Sequence, residues 1–288
     1  MGGHCPLCRL QLSAISARFK TLTKKTTTQP QTQDQTQPAN ENPLFYRSPL
    51  LLRFEEHAKF GLRRTPNYSF ASTANVIPLT GSEFGIAGRQ YPIVFSNDPS
   101  AMTLAVMGLT RHKNQFVDDA GNWQAGAYVP AYVRRYPFIS INTEVGGNEM
   151  LGIDAASDRI SLDVDVESED VDAIFNADGE PTEAARSAIS LCDMFSFHHK
   201  RTRDFTAAML EHNLLVERSA EIKNQDGTQG VVNGFRVIDE EAFRALPDAV
   251  LVDFHAKGWT DMIVLHIASQ LSWQTLLDAQ APAVQEAA

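Results

Sequence analysis

The segment Tyr128-Val129-Pro130-Ala131-Tyr132-Val133-Arg134-Arg135-Tyr136-Pro137 gathers the residue types best suited to chemistry in this chain. On a short helix Tyr132 lies beside Arg135 and Tyr136, so phenol hydroxyls and a guanidinium fork can converge on a carboxylate or phosphate. Tyr128, Tyr132, Arg134, Arg135 and Tyr136 are therefore the candidate ligand-binding residues. The competing reading packs the tyrosines in the core and has the arginines bridge Asp or Glu elsewhere in an acidic protein. The segment nominates no catalytic residue, and neither a metal nor a cofactor is expected.

Three other constellations are weaker. His198-His199-Lys200-Arg201-Thr202-Arg203 could bind an anion, but helical geometry sends adjacent residues in different directions and favours a solvated face with one buried His. Asp163-Val164-Asp165-Val166-Glu167 invites a calcium reading. It fails because Ser168 stands where an EF-hand loop needs Gly, and Ile174 where it needs the bidentate Glu. Cys5-Pro6-Leu7-Cys8 has the spacing of a redox or metal half-site without a second pair at zinc-ribbon distance. His266, one turn from Met262 and Ile263, reads as a core histidine satisfied by hydrogen bonding.

The dinucleotide GxGxxG, the P-loop and the GxSxG elbow are missing, and no histidine begins an HxD, HxE or HExxH pattern. A net charge of -10 argues against nucleic acid as a partner, since phosphate neutralisation needs a basic surface. Only three cysteines are present, so a disulfide framework does not hold this fold. No apolar run approaches the roughly 18 residues that span a bilayer, and no cleavable signal is read.

The elements that must position these residues read as strands first and helices later. Tyr91-Pro92-Ile93-Val94-Phe95 and the apolar run Ala101 to Leu109 read as strands. Gln115-Phe116-Val117 and Asn122-Trp123 flank a hairpin turn in which Gly121 takes the left-handed conformation. Pro130 starts a helix of about two turns that Pro137 ends, and Phe138-Ile139-Ser140-Ile141 follows as a strand. From Ile160 to Val166 the pattern alternates, placing Ile160, Leu162, Val164 and Val166 toward the core. Pro181 opens a helix of over 30 residues, to about Leu215, long enough to hide a break. A second hairpin joins Ala220-Glu221-Ile222-Lys223 to Gly234-Phe235-Arg236-Val237-Ile238, and Asp239, Gly258 and Thr260 punctuate the closing helices.

This order predicts an α+β fold with a strand-rich N-terminal half containing hairpins and a helical C-terminal half. Residues 1–44 read as a disordered basic, then Thr/Gln/Pro-rich, arm. It carries Arg9, Arg18, Lys20, Lys24 and Lys25 and no acid before Asp34. Residues 45–70 read as a linker or docking segment, with Leu50-Leu51-Leu52-Arg53-Phe54 as a short docking helix. The domain is expected over 71–280 and a disordered tail over 281–288.

Taken in order, Tyr91-Pro92-Ile93-Val94-Phe95, Phe116-Val117-Asp118 with Gly121-Asn122-Trp123, and Tyr128 through Phe138 resemble the bacterial SapC family linked to surface layers. The similarity runs on through Asp178-Gly179-Glu180-Pro181-Thr182 and the final helices, over about residues 74 to 280. A peptide-transport permease shares the name, but this chain lacks the spans a permease requires. The resemblance implies a protein partner or envelope component and no agreed catalytic residues. The first expectation is a non-enzymatic accessory or binding protein; the second is an enzyme or small-molecule binder whose Tyr/Arg pocket takes a small anionic ligand. The expected location is cytoplasmic, or the cell surface by a route independent of a signal peptide.

Removing residues 1–44 is expected to leave the thermal midpoint nearly unchanged, because this composition offers no apolar surface to bury. A thermal melt of the truncated chain checks it.

Overall fold

The computed structural model describes residues 42–142, 149–164, 170–223 and 229–279. In chain order it contains β1 (Pro49–Leu51), α1 (Phe54–His57), β2 (Gly61–Arg63), β3 (Val76–Pro78), α2 (Phe84–Ala87), β4 (Ile93–Ser96), β5 (Thr103–Val106), α3 (Ala131–Arg134), β6 (Phe138–Asn142) and β7 (Glu149–Asp154). It continues with β8 (Ile160–Ser161), β9 (Val171–Ala173), α4 (Glu183–Glu211), β10 (Leu215–Lys223), β11 (Gln229–Ile238), α5 (Glu240–Arg244), α6 (Asp248–Ala256), α7 (Trp259–Ser269) and α8 (Trp273–Ala279). Strands dominate before α4 and helices after it, so the fold is α+β.

Every strand pair is antiparallel. A five-stranded sheet has the order β10-β11-β4-β5-β3, and two three-stranded sheets have the orders β1-β7-β6 and β8-β2-β9. Ile93, Val94 and Phe95 are all buried, which matches the interior place of β4 and its run of β-branched and aromatic residues.

One helix serves two cores. Thr182 caps α4 by accepting from the Ala185 amide, and its own hydroxyl donates to the Ala173 carbonyl at 2.6 Å. No Gly or Pro interrupts the 29 residues that follow, so the helix runs unbroken for about 44 Å. Its buried positions Ala185, Ala188, Cys192 and Phe195, then Thr202, Phe205, Thr206, Ala208 and Met209, recur at three-, four- and seven-residue spacings that keep them on one side of the helix. Ala185, Ala188 and Cys192 pack with Leu52, Phe138, Ile153, Ile160 and Ile174. Phe195, Phe205, Ala208 and Met209 belong to the larger core under the five-stranded sheet. Asn213, at φ 54, ends the helix in the left-handed region as the Leu214 amide donates to the Met209 carbonyl at 2.8 Å.

Several expectations change. Two strands lie within residues 45–70: β1 pairs with β7, and β2 lies between β8 and β9. The Leu50–Phe54 stretch is a strand that passes into the single turn of α1, because its backbone finds partners some 100 residues away. The Pro130 helix makes one turn, with Pro130 as its N-cap, before the chain turns again toward Pro137. The alternation from Ile160 survives for two residues. Ile160 is buried, yet Leu162 is 55% exposed because the chain leaves the short pairing with β2 after Ser161. Val166 lies outside the described residues. Thr260 lies inside α7, which Gly258, at φ 73, directly precedes, and among the described residues the buried Thr260 hydroxyl has no hydrogen-bond partner.

The turn at Gly121 has the expected conformation, with φ 81. Asp118 organises it by accepting from the amides of Ala120 and Asn122, and Val117 bridges to Trp123 across it. A β-carbon on Gly121 would come within 2.6 Å of the Asn67 side chain, a second reason for glycine there. Residues 224–228, the tip of the second hairpin, lie outside the described residues, but its arms pair along most of β10 and β11.

His266 is fully buried against the Phe95 ring at 5.0 Å, and among the described residues neither imidazole nitrogen has a partner in good hydrogen-bond geometry. The core placement is as expected, with the Ile93 backbone as the polar group that acts on the ring. Burial holds its pKa down at about 3, with a small opposing effect from the Ile93 backbone. The unfolded chain therefore takes up this proton first as pH falls. The contribution of His266 is full above about pH 6.5 and falls toward pH 3 by up to about 1.4 kcal/mol per pH unit. His266→Leu should flatten the loss of stability between about pH 6 and pH 4 relative to wild type, as read by denaturant titration across that range.

Candidate functional site

Two buried carboxylates hold the ends of the Tyr128–Tyr136 segment. Glu83 closes a capping box with Thr80, accepting from the Thr80 amide and hydroxyl, both at 2.8 Å. Its other oxygen accepts from the Tyr128 hydroxyl at 3.0 Å and the Ala131 amide at 2.7 Å. Asp154, with no exposed surface, accepts from the Tyr136 hydroxyl at 2.9 Å, the Arg47 amide at 3.1 Å and the Ser48 amide at 2.7 Å. Among the described residues neither carboxylate makes an ion pair.

The five candidate residues consequently do not meet at one point. Tyr132 is buried and donates to the Leu44 carbonyl at 3.1 Å, so the chain is part of the packed structure before Phe45. Removing residues 1–44 would therefore take away the acceptor of the Tyr132 hydroxyl. Arg134 is exposed; it donates to the Val129 carbonyl at 3.1 Å and to the Tyr128 hydroxyl at 3.2 Å. Arg135 is buried, with its guanidinium carbon 4.1 Å from the centre of the Phe195 ring and 4.4 Å from that of Tyr132. Neither arginine forms an ion pair among the described residues, so the carboxylate bridges expected from sequence are replaced by carbonyl, phenol and ring contacts.

The phenols are held in their protonated form. Burial, with the Glu83 carboxylate adding to it, pushes Tyr128 up to about 12. Burial pushes Tyr136 up to about 12 as well, opposed by Ser157 and reinforced by Asp154. The pKa of Tyr132 is also raised by burial, with Arg135 opposing. At neutral pH these groups are protonated and donate hydrogen bonds.

The basic run on α4 divides around the helix. His199 stacks on Phe195 at 5.7 Å, and burial together with Arg135 and Arg203 lowers its pKa. It lines a groove of about 410 Å³ with Met102, Arg203 and Leu210. Thr202 is buried and accepts from the Gly81 amide at 2.8 Å. Among the described residues no group of three or more His, Cys, Asp or Glu is placed to hold a metal ion. Cys5 and Cys8 lie outside the described residues, as do Asp165 and Glu167.

A separate cavity of about 290 Å³ is walled by Arg47, Arg63 and Arg159, with Tyr136 as the one sequence-nominated residue on its surface. Its arginines come from three distant stretches of chain, two of them inside the segment expected to be a linker. No local spacing could have joined them.

The SapC profile matches residues 52–276, most of the chain. The chain belongs to the SapC family. The match begins in β1–α1 territory rather than at the more C-terminal start expected from motif order, in keeping with the place of β2 in a sheet. No curated protein and no solved structure matches this SapC-family chain. Among the described residues no helix is long and apolar enough to cross a membrane.

If Glu83 is the tie that fixes this SapC-family segment, Glu83→Leu should lower stability by at least about 2 kcal/mol, because the Ala131 and Thr80 amides lose a buried acceptor. Arg134→Met, which removes contacts at the surface, should cost less than about 1 kcal/mol. Denaturant unfolding of the two variants checks the contrast.

Proposed function

We propose that this SapC-family chain is a non-enzymatic accessory or binding protein acting in the assembly or handling of a surface-layer or envelope component. The observation that carries the reading is the use of the Tyr128–Tyr136 hydroxyls. Each one donates to a buried carboxylate or a backbone carbonyl and supports the packing of the chain. The segment richest in chemical groups thus serves as a structural tie, and a protein partner or envelope component remains the natural counterpart for the surface it shapes. The expected setting is the cytoplasm, or the cell surface by a route that uses no signal peptide.

A second reading, binding of a small anionic ligand, is favoured by the arginine-walled cavity. It is compatible with the first, since a binding protein can take its partner through an anionic group.

Native protein isolated under mild conditions, followed by mass spectrometry of co-purifying proteins and small molecules, is expected to recover an envelope or surface-layer component absent from a mock isolation. Chemical conversion of a recovered small molecule by the purified protein would overturn the non-enzymatic reading.

A further inference from the structure

The three arginines of the 290 Å³ cavity are brought together by the same bonds that build the fold. Asp154 accepts from the Arg47 amide, and the Ser157 amide donates to the Asp154 carbonyl, which sets the loop carrying Ser157, Asp158 and Arg159. The Arg63 amide donates to the Arg159 carbonyl at 2.9 Å, and Arg159 Nη1 donates to the Tyr136 carbonyl at 2.8 Å. Phe70 and Tyr136, whose ring centres lie 4.1 Å apart, add an aromatic surface, and Ser69 and Ser157 add hydroxyls.

These cations lack a matching counter-charge in the cavity. The acid on its wall is Asp158, 3.9 Å from Arg47 Nη2, and its side chain is 95% exposed, where an ion pair contributes little. Arg63 Nε donates only to the Asp158 carbonyl, at 3.2 Å, and Arg47 donates to the Ala156 carbonyl. Among the described residues the buried Nε of Arg159 has no hydrogen-bond partner. A buried guanidinium donor left unmade is costly, and three converging arginines in a chain of net charge -10 run against its overall sign. Burial also lowers the pKa of Arg159, as expected for a cation withdrawn from water.

We propose that this cavity binds the phosphate group of a small phosphoester through Arg47, Arg63 and Arg159. Three planar guanidinium groups suit a doubly charged group with several terminal oxygens better than a carboxylate, which a single fork saturates. The cavity volume limits the rest of the ligand to about the size of a sugar phosphate, resting on the Phe70 and Tyr136 rings. The assignment extends the binding reading above and does not depend on the envelope role, because it is tested on purified protein alone.

Inorganic phosphate titrated into the full-length protein by calorimetry at constant ionic strength is expected to bind saturably. Arg63→Met, an exposed position, should melt as wild type and bind at least about tenfold more weakly, and Arg159→Met should weaken binding at least as much. Arg134→Met, outside the cavity, should bind as wild type. Absence of saturable binding by wild type, or wild-type affinity in Arg63→Met, would overturn the site; Arg63→Met decides alone if Arg159→Met fails to fold. Acetate binding as tightly as phosphate would overturn the phosphate assignment. Recovery of native partners without phosphate binding, or the reverse, separates the fate of this site from that of the proposed accessory role.

Discussion

Glu83 and Asp154 are taken out of water and, among the described residues, neither is paired with a cation; the arrangement of the molecule follows from how that cost is met. Desolvating a carboxylate costs several kcal/mol, and hydrogen bonds to a charged group return about 1.5–3 kcal/mol each. Each carboxylate collects donors from two separated stretches of chain: Thr80 with Tyr128 and Ala131 in one case, Arg47 and Ser48 with Tyr136 in the other. Removing any of these stretches would strand a buried charge. The segment between the two anchors is thereby fixed at both ends, one on the larger core and one on the smaller sheets.

The same constraint explains which features were legible in sequence and which were not. Local signals held where the partner was local: Gly121 with its Asp118 turn, Asp239 accepting from the Glu241 and Ala242 amides, and the apolar stretch of β4. The long helix was visible from its apolar spacing, and its buried stripe runs through Ala185, Ala188 and Cys192. Signals failed where a distant partner decided the outcome. Pro49–Leu51 has nothing nearby to mark it as a strand, since its ladder is with β7, and Leu162 alternates correctly but has no neighbouring strand to pair with.

The candidate site divides along the same line. Residue types in the Tyr128–Tyr136 segment suggested convergence, and helical spacing did place Tyr132 and Arg135 in contact. What spacing could not convey is that each phenol has its own acceptor elsewhere. The cavity brings Arg47 and Arg63 to Arg159, more than 90 positions further along the chain, through the Arg63–Arg159 backbone bond and Asp154. In an acidic chain, an isolated arginine is read most simply as a partner for a nearby acid, which hides a cluster of this kind.

A helix shared by two hydrophobic clusters also governs how the molecule comes apart. Ala185 to Cys192 complete one cluster and Phe195 to Met209 the other, with no glycine, proline or bend between them at which the helix could fray halfway. Melting the first half would expose apolar side chains of the small sheets and leave the second half with a new, uncapped end of four unsatisfied amides. Partial opening is therefore penalised twice. The two clusters, distinct in space, are thereby coupled through one helix, and the amides at the middle of α4 are expected to be among the slowest of the described residues to exchange with solvent.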